Sequence, residues 1–310
     1  MPGERMHGPD HGRASGSRRE SSFATVGRRQ RSRHQVMKPH LVICFVILMG
    51  SVVRGQDSLA LKTTLPTPDR RQLSLRTIEH RAFGVGERLV FDVGYSFIVA
   101  GEAVMSVPKA DTAFGRECYQ VVFTVESTPT FSWIYKVDDR YETILDKQGI
   151  FPWRFTQKVR EGSYKRDYYA VFDQRENVAI TEKGRFSTPP YVHDAVSAFY
   201  YVRTMDFSKS KPGERTLLHN FTKDSTYALA VKFLGRQRIE VDAGTFDCII
   251  IEPLMKEGGL FKSEGRVVIW LTDDDRKIPV KVSTRVVIGS IDAELREYSG
   301  VLGSIPSKVK

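Results

Sequence analysis

HDAVSAFYYVRTMDF, His193 to Phe207, is the one strongly helical stretch in a chain whose ordered part otherwise reads as strands and turns. Pro189 and Pro190 stop what precedes it, Asp194 is placed to cap its first turn, and neither Gly nor Pro interrupts it before Pro212. Ala195, Val196, Ala198, Phe199, Tyr200, Tyr201, Val202 and Met205 leave it almost no polar face. Such a segment cannot be an ordinary surface helix and needs a wide apolar surface to lie on. The flanking sequence supplies one. The expected fold is mainly β, a large curved antiparallel sheet or half-open β-barrel of about a dozen strands, with this helix packed against its concave face.

Working outward, Tyr164, Arg166, Tyr168, Ala170 and Phe172 recur with a period of two, as do Phe151, Trp153 and Phe155, and Phe131, Trp133 and Tyr135. Strands with one aromatic and one polar face belong to a sheet wetted on one side. Short polar turns such as Glu161-Gly162-Ser163 separate them, so the path is a meander. Glu87–Ile98 and Glu102–Val107 read as a hairpin turning on Ala100-Gly101; Arg238–Val241 and Phe246–Pro253 read as another turning on Ala243-Gly244. GRVVIWLT (265–272), Pro279–Ile288 and Ile291–Tyr298 complete the sheet. A membrane-spanning barrel is disfavoured, because Lys136, Arg154, Lys158, Lys165, Arg166 and Lys232 interrupt any continuous apolar outer band.

The formal charge of +10 suggests nucleic acid until it is divided: residues 1–56 hold ten Lys or Arg against three Asp or Glu, which leaves the remainder near balance. No nucleic-acid partner is expected. Lys38 and His40 precede an apolar run, LVICFVILMGSVV, at Leu41–Val53. Residues 37–55 therefore read as a signal peptide starting at Met37, and the protein as periplasmic or secreted with no membrane span after cleavage. The Arg-, Gly- and Ser-rich residues 1–36 read as disordered or as an extension ahead of the true start. Residues 56–82 read as a linker, 83–300 as the β-rich domain and 301–310 as a tail. Cys118 and Cys248, both in strand-like stretches, are open to a disulfide or to burial as thiols.

GERLVFDVGYSFIVAGEA (86–103), DAVSAFYYVR (194–203), AGTFDCIIIEP (243–253) and VIWLTDDDRKIPVKV (268–282) together resemble a bacterial family of exported proteins, the domain of unknown function numbered three-one-zero-eight. The likeness runs from about Phe83 to Tyr298 and implies an export signal and a β-rich fold, with no reaction attached.

Catalytic chemistry has little to stand on. No GxSxG, HExxH or P-loop pattern is present. Asp273-Asp274-Asp275 reads as a polar hairpin turn, because adjacent carboxylates point apart and the central Gly of a calcium loop is missing. His193 beside Asp194 could form a general base, and Glu102 with Glu264 a glycosidase pair. No cofactor, metal site or catalytic residue is expected. A sheet that one helix cannot fill would instead leave an apolar cavity with tyrosine hydroxyls at its rim. The candidate ligand-binding residues are Trp133, Tyr135, Trp153, Tyr168, Tyr200, Tyr201, Arg203 and Trp270, with Tyr201 and Arg203 foremost. The expected function is a non-catalytic envelope protein holding an apolar ligand, such as a lipid, or an envelope partner between sheet and helix. The alternatives are an assembly factor that engages its partner through a strand edge, and a cell-wall or glycan hydrolase.

Overall fold

A computed structural model describes residues 75–95, 98–257, 260–262, 266–286 and 289–309, all in one compact unit. The segments expected to be an extension (1–36) and a signal peptide (37–55), and residues 56–74 of the expected linker, lie outside the described residues. In chain order the elements are β1 (Arg88–Tyr95), β2 (Ile98–Ala113), β3 (Arg116–Ser127), α1 (Pro129–Ser132), β4 (Asp138–Asp146), β5 (Pro152–Glu161), β6 (Tyr164–Asp173), β7 (Val178–Thr181) and β8 (Gly184–Ser187). The helix α2 (Ala195–Arg203) follows, then β9 (Arg215–Thr222), β10 (Ser225–Val241), β11 (Gly244–Glu257), β12 (Leu260–Lys262), β13 (Val267–Thr272), β14 (Pro279–Arg285) and β15 (Ser290–Ser299).

The protein is mainly β, as expected. One large curved antiparallel sheet runs β8-β7-β6-β5-β4-β3-β2-β1-β15-β14-β13-β11-β10-β9, with β12 beside β11, and it does not close. The meander follows from short connections between antiparallel neighbours, and the first strand pairs with the last, β1 with β15. Helix α2 touches β4 on one arm of the sheet and β9 on the other. Just before it, the backbone of His193 bonds both His219 and Phe221 on β9. The apolar helix thus fills the concavity: Val196, Ala198, Tyr200 and Val202 are buried in the same cluster as Leu89, Phe91, Phe123, Tyr141, Phe233 and Ile269.

Five local expectations are corrected. Ala100-Gly101 is not a turn but the interior of β2, paired with β3. A Cβ at Gly101 would stand 2.7 Å from the Glu126 carbonyl oxygen, so glycine is there for close strand approach. Phe131 and Trp133 do not continue an alternating strand; Pro129 opens the one-turn helix α1, and Trp133 follows it. Trp153 does not share a face with Phe155, because the β4–β5 register shifts between Ile144 and Leu145. Phe155 enters the main core, whereas Trp153 joins Phe151, Cys118 and Ile144 in a separate cluster. Residues 75–82 are packed rather than a free tether: Ala82 is buried, and Ile78 donates its N–H to the Gln148 carbonyl. The tail is packed too, with the Ser307 hydroxyl donating to Asp274 Oδ2 at 2.6 Å and Lys308 bridging to Phe246.

Cys118 and Cys248 are free buried thiols in different clusters, which is why no disulfide joins them. Burial pushes each thiol up to about 12. Among the described residues no helix is long and apolar enough to cross a membrane.

Candidate functional site

The space between α2 and the sheet is the feature around which the strands are arranged, and the helix is held there by buried polar groups at both ends. At its N-terminus, Asp194 Oδ1 accepts from the backbone N–H groups of Val196 (2.8 Å) and Ser197 (3.0 Å) and from the Thr143 hydroxyl on β4 (2.9 Å). The cap thereby ties helix to sheet. Burial outweighs these hydrogen bonds and raises the Asp194 carboxyl to about 6.

Beside it, His193 Nδ1 lies 3.3 Å from Ser197 Oγ, and Nε2 lies 3.4 Å from an Arg76 nitrogen. The Arg76 guanidinium sits between the rings of Tyr191 and Tyr201, 4.4 and 4.5 Å from their centroids, and donates to the carbonyls of Gly149 and Ile150. Burial, then the charge of Arg76, holds His193 well below the ordinary histidine range, so the ring is neutral. The His193–Ser197 contact has the outline of a base and a nucleophile. Both groups are buried, however, and the Asp194 carboxylate serves the helix cap and Thr143 instead of orienting the ring.

At the C-terminus, Arg203 makes a bidentate pair with Glu87, at 2.7 and 2.8 Å, and also donates to the carbonyls of Ala82 and Arg276. Both side chains of the pair are fully buried. Beyond Arg203 a polar recess of about 710 Å³ opens, lined by His80, Tyr119, Lys147, Asp206, Asp275 and Lys277 among others. Burial and the neighbouring Arg203 bring His80 down to about 4, so it enters the recess uncharged.

Along its middle, α2 leaves an apolar cleft with about 30 Å³ of room. Ala195, Ala198, Phe199 and Val202 form its helix wall; Leu229, Val231, Ile251 and Ile269 form the sheet wall, with Asn220 and Pro253. The Asn220 side-chain oxygen is buried without a hydrogen-bond partner. The room in this cleft is about one water-sized volume, and no tyrosine lines it.

None of the eight residues singled out from the sequence lines this cleft. Trp133 is exposed after α1, and half-buried Tyr135 packs over Gly162. Trp153 is buried, donating to Asp146 Oδ2 and stacking on Phe114. Tyr168 reaches Asp224 from β6, and Trp270 donates to Gln237. Tyr200 packs edge-on against Phe83. Tyr201 stacks on Arg76, and Arg203 alone among the eight lines the polar recess. Sequence reading missed Arg76, which lies in a polar stretch with no periodic signal. It also missed Glu87, whose partner stands 116 positions away.

Asp274 holds the β13–β14 turn through Thr272, the Arg276 N–H and Ser307, the hairpin role expected of the Asp273 cluster. Glu102 is paired with Arg296, and Glu264 lies outside the described residues. No group of three or more His, Cys, Asp or Glu among the described residues could hold a metal ion.

A carboxyl pair, Asp139 on β4 and Glu161 at the end of β5, is buried at the rim near α1. Burial, then the charge of Asp139, carries Glu161 up from 4.5 to about 7. The folded protein holds this proton where the unfolded chain has released it, so the stability it confers is complete below about 4.5 and is lost as pH rises through about 7. Thermal midpoints measured between about pH 5 and about pH 8 should fall less for Glu161→Gln than for the parent protein. Parallel profiles would contradict the pairing.

A family described as protein of unknown function (DUF3108) matches residues 90–296. No curated protein matches the chain. Among solved structures, a beta-barrel-like protein of domain of unknown function DUF1849 from Brucella abortus is 11% identical. It covers 69% of this chain and 97% of its own, with a TM-score of 0.48. A Bacteroides fragilis protein described as exported, with a YmcC-like fold, covers 73% of this chain and all of its own at 11% identity and TM-score 0.30. A Parabacteroides distasonis protein described as a lipoprotein gives the same values.

Proposed function

The chain belongs to the DUF3108 family of proteins of unknown function, and on that premise we propose that it is a non-catalytic, exported envelope protein that holds an apolar group between α2 and the β9–β13 arm of its sheet. The observation that carries the reading is the cleft beside Phe199, lined on both walls mainly by aliphatic side chains. Apolar surface facing a gap is the arrangement that gains most when a hydrocarbon chain enters. The present room suits about one methyl-sized group, so entry of an acyl chain requires Phe199, which is only partly buried, to swing outward. The nearby His193 and Ser197 take no part, since they are closed off behind Arg76 and Tyr201.

Protein purified from the envelope without detergent, examined by native mass spectrometry and titrated with a fluorescent fatty acid, tests this. Binding should be saturable, and Ala198→Phe, which fills the cleft, should weaken it by about tenfold or more. Absence of both co-purified lipid and probe binding in the parent protein would overturn the reading. A second reading, an envelope partner added to a strand edge, is favoured by the open sheet, whose strand order ends at β8 and at β9 with Leu217 exposed.

A further inference from the structure

Nine of the ten residues lining the cleft beside α2 are apolar, and the tenth is Asn220. Leu218 and Asn220 stand two apart on β9 and are both buried, as the period of a strand requires. Leucine at such a position gains from burial; asparagine is a poor strand residue, and an amide taken out of water without a partner is costly. Asn220 is only 2% exposed, and its side-chain oxygen has no hydrogen-bond partner. Its backbone leaves no escape. Asn220 pairs with Tyr227 of β10 on one side and bridges to His193 on the other, so the strand is fixed from both edges. Among the described residues that hold a buried polar side-chain atom without a partner, Asn220 alone lines the cleft.

We propose that a neutral hydroxyl meets Asn220, and that the occupant of the cleft is a single-chain amphiphile of the long-chain alcohol class. Its O–H donates to the Asn220 oxygen, and its chain lies between α2 and the β9–β13 arm. This rests on the cleft being the ligand site and adds the chemistry of the head group. The walls discriminate among heads. A carboxylate brings acceptors alone, so a fatty acid enters by its chain and leaves the Asn220 oxygen unpaired. An ammonium donates, but no carboxylate lines the cleft to offset its loss of water. A bare hydrocarbon also leaves the amide unsatisfied. A hydroxyl donates to the oxygen and, with its lone pairs, can accept from the amide N–H. Size agrees: the present room of about 30 Å³ takes one group as small as a water, whereas the chain needs the space that Phe199 vacates.

Displacement of the bound fluorescent fatty acid by 1-decanol and by 1-fluorodecane is the test, because the two chains are alike in size and only the alcohol has a donor. A purely apolar cleft prefers the fluorinated chain. The parent protein should instead release the probe at a decanol concentration about tenfold lower than that of fluorodecane, the ratio that one buried hydrogen bond supplies. Asn220→Ala should reverse the order, and Asn220→Val, better suited to a strand, should do the same. Thermal unfolding of the valine variant should match or exceed the parent, since the amide it removes has no bond to lose. Parent protein that releases the probe equally to both chains, or first to fluorodecane, overturns the hydroxyl assignment while the cleft stands as an apolar site. A preference for decanol that survives both substitutions overturns it too. Parent protein that never binds the probe, and carries no lipid from the envelope, removes the cleft reading and this one with it.

Discussion

Replacing Arg203 with methionine is expected to lower folding stability by about 3–5 kcal/mol, a large fraction of the total stability of an ordinary domain. Methionine keeps much of the volume but removes the charge that faces Glu87 inside a fully buried pair. Burial by itself lowers the Arg203 guanidinium, and the neighbouring Glu87 more than reverses that, so the guanidinium keeps its charge in the core. Without Arg203 the Glu87 carboxylate is left in the core with neither water nor a counter-charge. The same side chain joins the end of α2 to the carbonyls of Ala82 and Arg276, fastening the strap before β1 and the β13–β14 turn to the helix. Its face also lies over the rings of Phe83 and Tyr200, 5.2 and 5.1 Å from their centroids. Urea unfolding measures the effect. Glu87→Leu combined with Arg203→Met should recover most of the loss, because the penalty comes from stranding one ion and not from lacking a pair. A single variant that loses less than about 1 kcal/mol would show the pair to be solvated in solution.

Asp194→Ala should cost about 2–4 kcal/mol, since it removes the helix cap and leaves three donors, including the Thr143 hydroxyl, without their acceptor. Asp194→Asn should behave differently. Its carbonyl oxygen can replace Oδ1, while the second carboxylate oxygen has no hydrogen-bond partner to lose. The charge itself is a liability at this position: with the folded-state carboxyl raised from 3.8 to about 6 by burial, the advantage of the protonated form is complete below about 3.8 and lost as pH rises through about 6. At about pH 8, Asp194→Asn should therefore match or exceed the parent protein in stability, and the two should converge at acid pH. An asparagine variant as damaged as the alanine one would mean that the carboxylate charge, and not its hydrogen-bond geometry, holds the helix.

Local pattern carried much of the architecture. Alternation in β5, β6 and β10 assigned strands because a half-buried strand must repeat every two residues, and the Asp194 cap was visible because an N-cap is a short-range device. The failures share a cause. Gly101 looked like a turn residue because glycine serves both turns and close approach, and only the neighbouring strand distinguishes them. Trp153 left its expected face because a bulge inserts one residue, and the pairing partner that defines the bulge lies on another strand. The tyrosines and tryptophans proposed to line a ligand site are distributed instead among the core, an arginine stack and the exposed rim.

The sequence by itself determined the composition of the layers: one apolar helix, many alternating strands, balanced charge in the domain, and no recognisable catalytic motif. Those properties depend on residues within a few positions of one another. Tertiary structure alone decided which side chains meet across the concavity. Glu87 finds Arg203, Arg76 enters between Tyr191 and Tyr201, and a narrow cleft remains at Phe199. Each of these depends on how far the sheet curves and where the helix comes to rest in it, quantities set by the packing of the whole sheet and carried by no single stretch of chain.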